Sequence, residues 1–151
     1  MRKNFGAKPY TYPQPVFMLA TYGEDGTPDV MNAAWGGISE GNELSLCISA
    51  GHKTTKNFLA RQAFTVSMAD VAHMAACDYV GIVSANTVAN KFEKAGFHAV
   101  KSEFVDAPLI EELPIAVECR VKSYDKDTCR LVGEIVNVSV DERVLNEQGQ
   151  V

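Results

Sequence analysis

The most regular stretch of this 151-residue chain lies near its C-terminal end, and it decides the fold class. From Ile115 to Tyr124, residues Ile115, Val117, Cys119 and Val121 point one way and Glu118, Arg120 and Lys122 the other. That is the period of a strand with one face in a core. Asp125-Lys126-Asp127 turns the chain, and Cys129 to Val140 follows as a long strand with apolar residues on both faces. A strand of that kind is covered on both sides, as in a barrel wall packed from outside. Two strands joined by so short a turn are antiparallel neighbours.

The rest of the chain fits the same architecture. Val16 to Tyr22 predicts a buried strand, Gly23 to Pro28 a turn, and Asp29 to Trp35 a returning strand ended by Gly36 and Gly37, because glycine supplies positive φ and proline cannot extend a ladder. Glu43 to Ser49 alternates again. The period then changes: Thr54 or Thr55 can cap a short helix running through Arg61. Ala63 to Met68 is a further strand. Asp70 can cap a second helix carrying Val71, Met74 and Ala75, and a third is expected from about Val88 to Ala95, stopped by Gly96. Residues 1–14 look irregular. The sum is about six or seven strands and three short helices in one domain spanning 1–151. This is a mainly β, predominantly antiparallel barrel with short helices. A doubly wound parallel sheet would need longer crossover helices.

Charge and composition narrow the partners. Net charge is -5 and no Lys/Arg-rich block occurs, which argues against nucleic acid. No apolar run approaches the roughly 20 residues of a membrane span, and the basic start lacks the apolar segment of a signal peptide. Cys47, Cys77, Cys119 and Cys129 are widely spaced with no CxxC pair, the pattern of reduced thiols in a cytoplasmic protein rather than of a disulfide framework or zinc site.

Three segments could carry chemistry. Ser49-Ala50-Gly51-His52-Lys53-Thr54-Thr55 follows a strand and opens a helix. Backbone N–H groups at a helix start attract anions, and Lys53 and the threonines add a charge and hydroxyl donors, a lining suited to a phosphate monoester. On spacing alone, Thr54 as a plain helix cap is the commoner role. Asn32-Ala33-Ala34-Trp35-Gly36-Gly37 offers small residues that let a flat ring approach the backbone, with Asn32 as donor and acceptor; a packed strand end with Trp35 in the core is the alternative. Gly81 to Asn86, ahead of Lys91, could add the Ser84 hydroxyl and a second cation, or be an ordinary loop.

Other patterns are discounted. Gly37-Ile38-Ser39-Glu40-Gly41 matches a hydrolase nucleophile elbow by letter, but a strand-like segment follows where a helix is required. His52, His73 and His98 lack metal-ligand spacing, Asn137-Val138-Ser139 lies in an expected buried strand, and Glu111-Glu112 reads as a solvated face. No acid–base or metal constellation emerges.

The order of these motifs carries a resemblance. Pro15 to Thr21, the Asp25-Gly26 turn, Asn32 to Trp35, Ser49 to Asn57 with its Lys-Thr, Asn90-Lys91-Phe92 to Gly96-Phe97, Pro108-Leu109-Ile110 and Ile115 to Tyr124 occur in sequence. This resembles the flavin reductase-like domain family, on the FMN-binding split-barrel fold with its Greek-key-like antiparallel barrel, and its flavoredoxin-type branch in particular. The resemblance covers roughly Pro13 to Val140. It implies a cytoplasmic homodimer that binds FMN near the subunit interface, takes hydride from NADH or NADPH and passes electrons to an acceptor, which can be a protein; an FMN-binding electron carrier is the alternative. It places Asn32, Ala33, Ala34 and Trp35 along the isoalloxazine, Ser49, Lys53 and Thr54 at the ribityl chain and phosphate, and Ser84 and Lys91 on the phosphate side, with His52 also among the cofactor-binding residues. Three departures stand out: Lys53 where many relatives have arginine, Ser84-Ala85-Asn86 where many have Ser-Gly, and an end at Val151 where relatives usually continue, which suggests a short or truncated member.

Overall fold

A computed structural model describes residues 1–151. Nine strands and three α-helices run β1 (Phe17–Tyr22), β2 (Pro28–Ala33), β3 (Gly36–Glu40), β4 (Glu43–Cys47), α1 (Lys53–Arg61), β5 (Ala63–Met68), α2 (Met74–Ile82), α3 (Lys91–Lys94), β6 (Ala99–Lys101), β7 (Pro108–Ile110), β8 (Ile115–Asp125) and β9 (Arg130–Val140). Seven strands form one sheet in the order β2-β1-β5-β8-β9-β4-β3, and β6 pairs with β7. Every pairing is antiparallel. The sheet curls into a half-barrel whose two edge strands, β2 and β3, are joined in sequence through Ala34 and Trp35.

Two cores explain the apolar runs. Inside the curl, Leu19, Leu46, Phe58, Phe64, Val66, Cys119 and Leu131 pack together. Outside it, Met18, Ala20 and Val30 pack under α2 and α3 with Cys77, Val80 and Phe92. Strand β1 is therefore buried on both faces, which is why Val16 to Tyr22 is continuously apolar rather than alternating. Phe58 and Phe64 lie 6.4 Å apart by ring centroid, and Phe58 and Tyr124 5.2 Å. The Tyr124 hydroxyl donates to the Ile48 carbonyl at 2.9 Å. Across the curl, Gly133 makes room for Phe64: a Cβ there would sit 2.3 Å from the ring.

The structure departs from the sequence reading at definite places. Gly36 and Gly37 open a strand, β3, instead of ending one. It is a mostly exposed edge that pairs with β4 alone, so it carries no alternation to read. The third helix is only Lys91–Lys94, closed by Gly96 at φ +85°. The Asp70 carboxylate accepts from the His73 amide at 2.8 Å, so it organises the turn before α2 rather than the helix itself. Glu118 does lie opposite Cys119, but the 102–110 segment roofs that face: Glu118 is buried and accepts from Ser102 and from the Asn137 side chain. Glu112 is not a plain solvated acid, because the His98 ring nitrogen Nδ1 lies 2.5 Å away and the pair holds the imidazole pKa up.

Candidate functional site: the cleft between α1 and α2

Leaving β4, the chain makes a tight turn in which the Ser49 carbonyl accepts from the His52 amide at 3.2 Å and from the Thr55 hydroxyl at 2.8 Å. His52 takes the position before α1 with extended backbone and no side-chain cap. Thr54, expected as a cap, donates instead to Asp29 Oδ2 at 2.8 Å. The amides of Lys53, Thr54 and Thr55 consequently have no partner in the fold. Three free donors at the positive end of a helix form an anion site.

Asp29 organises what lies behind it. This carboxylate, 3% exposed, sits on β2 with its other oxygen 3.4 Å from Lys91 Nζ. The Lys91 ammonium also donates to the Val80 and Val83 carbonyls, each at 3.0 Å, so it closes the C-terminal end of α2. Burial pulls the Lys91 pKa down and the adjacent Asp29 opposes the shift. Lys91 thus neutralises Asp29 and joins β2, α2 and α3; its donors are directed at these protein oxygens. Helix α2 can lie this close because residue 81 is glycine, where a Cβ would fall 2.8 Å from Asn32 Cβ.

Between the start of α1 and the end of α2 lies a cavity of about 130 Å³, lined among others by Asp29, His52, Lys53, Thr54, Ser84 and Lys91. The Asn86 side-chain amide donates to the Gly51 carbonyl at 3.1 Å and straps its two walls together. A second chamber of about 240 Å³ shares Asp29, Lys53 and Ala85 with the first and is further lined by Asp25, Thr27 and Asn86. Lys53 makes no ion pair with another side chain and stands at the junction. The lining suits a phosphate monoester: unpaired amides, one uncommitted cation, and a buried carboxylate already matched by its own lysine.

Of the residues singled out in the sequence, His52, Lys53, Thr54, Ser84 and Lys91 meet at this cavity. Ser49 is exposed at its entrance turn and contributes its carbonyl. The Asn32–Trp35 group does not converge with them in one chain. Asn32 faces a separate groove of about 560 Å³ beside Val16, Asp70 and Met74. Ala33 is buried in the inner core and Ala34 is half-buried. Trp35, far from being a core residue, is 58% exposed on the wall of an open cavity of about 720 Å³ with Cys47 and Arg130. Sequence reasoning missed Asp29 and gave Asn86 no role. For Asp29 the signal was parity: it shares the inward register of Met31 and Ala33, where a carboxylate needs a partner.

Comparison with known proteins agrees with this fold. Residues 10–150 match the family described as flavin reductase like domain. A flavoredoxin of Desulfovibrio vulgaris (Miyazaki F) superposes with a TM-score of 0.93 at 35% identity, covering 99% of this chain and 82% of that one. A flavoredoxin from Methanosarcina acetivorans gives 0.82 at 25% identity, over 99% and 79% of the two chains. An uncharacterised protein of Aquifex aeolicus (strain VF5) is 27% identical over 144 residues, 89% of this chain and 73% of its own length.

Proposed function

This chain belongs to the flavin reductase-like domain family, and from that premise we propose that it is an FMN-dependent oxidoreductase that receives hydride from NADH or NADPH and passes the electrons to an acceptor. The observation that carries the reading is the set of unpartnered amides at Lys53, Thr54 and Thr55, at a helix start where Lys53 and Thr54 line a cavity. There the flavin's phosphate is held by backbone donors and one cation, as anions are at helix starts. Bound FMN supplies the redox chemistry, and the protein supplies position and electrostatics. The chain needs no acid or base of its own for that division of labour.

The ring end is completed by a second copy of the chain. Trp35 and Ile38 are exposed on the β3 side, where Pro9, Thr11 and Gln14 of the N-terminal segment share the cavity that Trp35 lines, and exposed apolar side chains grouped in this way mark contact surfaces. Homodimerisation there gives Trp35 and the neighbouring Ala34 a facing wall. The four free thiols suit a cytoplasmic location.

The test is the absorbance spectrum of the isolated protein followed by stopped-flow mixing with each nicotinamide. Flavin absorbance that bleaches within seconds supports the reductase. Flavin that stays oxidised with both nicotinamides, yet is reduced by dithionite, leaves an electron carrier. Failure to bind FMN at all ends both readings.

A further inference from the structure

Resting on the flavin-binding reading, we propose that the cleft selects the mononucleotide FMN over the dinucleotide FAD, and that Asn86 and Asp25 are the residues that make the selection. The phosphate cavity, at about 130 Å³, is small. It is of a size for a phosphate and the end of the chain bearing it, so the rest of a dinucleotide lies outside it. The hydrogen bond from the Asn86 side chain to the Gly51 carbonyl ties the loop after α2 to the loop before α1, and Asn86 itself lines the adjoining chamber. A longer ligand that continues past Lys53 enters the neighbouring chamber, where the tethered Asn86 forms part of the wall.

That chamber is hostile to a second phosphate. Lys53 is the only cation in its lining, and it is shared with the first cavity, which Thr54 also lines. The remaining charged groups are two carboxylates, Asp25 and Asp29. Asp29 is matched by Lys91 and Thr54 from the other side. Asp25 has no cationic partner within ion-pair distance; its oxygen accepts from the Thr27 amide at 3.0 Å. The Thr27 amide and hydroxyl hold its carboxyl below the usual range, with Lys53 adding to this, so it is ionised at neutral pH. A second phosphate entering the chamber meets this charge at close range without a fresh counter-charge. Discrimination here comes from a repulsive element placed against the wrong ligand.

The experiment is a pair of flavin-fluorescence titrations, FMN and FAD, on the wild-type protein, on Asp25→Asn and on the Asp25→Asn/Asn86→Ala double variant, with circular dichroism to verify folding. Both side chains are exposed and in loops, so the fold is retained. The expected result is a wild-type preference for FMN of roughly tenfold or more, narrowed roughly fivefold by Asp25→Asn at low salt and further by the double variant, through tighter FAD binding. Equal wild-type affinities, or a ratio that the double variant leaves unchanged, overturns the inference. So does a ratio that narrows only because FMN weakens. Binding of neither flavin to the wild-type chain is a different failure: it removes the functional reading and this selection with it.

Discussion

The two ends of the candidate flavin site are built on opposite plans. At the α1–α2 end, one chain supplies everything: free amides, Lys53, and behind them the buried Asp29–Thr54–Lys91 network. At the Trp35 end, the same chain leaves an exposed indole and a cavity of about 720 Å³ open to solvent. The α1–α2 end is built on buried polar groups, with Thr54 hydrogen-bonded to one Asp29 oxygen and Lys91 paired with the other. The ring end is open because its residues lie on and beside the unpaired edges of a half-barrel. On the function proposed above, anion recognition is a property of the fold, and ring recognition a property of assembly.

Substitutions can break this contrast. The largest effect is expected for Asp29→Ala, which strands the Lys91 ammonium in the interior and frees Thr54; loss of one partner of a buried pair costs about 3–5 kcal/mol, measured by urea unfolding. Restoring part of that loss with Lys91→Met in the same chain would confirm the pair as its source. Gly81→Ala comes next, because the new methyl drives α2 away from Asn32. Overpacking of this kind costs about 1–3 kcal/mol, and FMN affinity should fall with stability, since the same helix walls the cavity.

Lys53→Ala separates binding from folding. It should weaken FMN by roughly tenfold, the worth of one charge-assisted hydrogen bond, while the urea midpoint stays put because Lys53 pairs with no other side chain. A shifted midpoint with unchanged flavin affinity would reverse the roles assigned here. The smallest effect on the folded monomer is expected for Trp35→Ser, within about 0.5 kcal/mol as for surface positions generally. Its consequence should appear instead in sedimentation, as weaker self-association, and in a blunted flavin spectrum.

The same contrast explains what the sequence disclosed. Strands with a buried face announce themselves, so β1, β5, β8 and β9 and the turn at Asp125 were legible. The edge strand β3 was not, since both faces are largely exposed and its glycines mimic a stop. The helix ending at Arg61 was legible, but it begins at Lys53 with His52 before it, ahead of the expected Thr54 or Thr55 cap, and the Thr54 hydroxyl goes to another partner. A cap is a local interaction, whereas Asp29 lies 25 residues away in sequence. Glu118 shows the same limit: its side of the strand follows from period, and its burial depends on a roof contributed by the 102–110 segment. Periodicity reports which way a side chain points and is silent on what has been folded over it.

The absent side chain at Gly133 has a reach beyond its own strand. Phe64 occupies that space, Phe58 of α1 rests against Phe64, and Tyr124 props Phe58 while holding Ile48 just ahead of the anion-binding turn. The width of the cleft is therefore set partly from the far wall of the barrel, through a pile of aromatic rings whose foot is a hydrogen atom. Efforts to widen the pocket for bulkier flavins have a lever there that touches no ligand, with Gly133 and Phe64 varied as a pair.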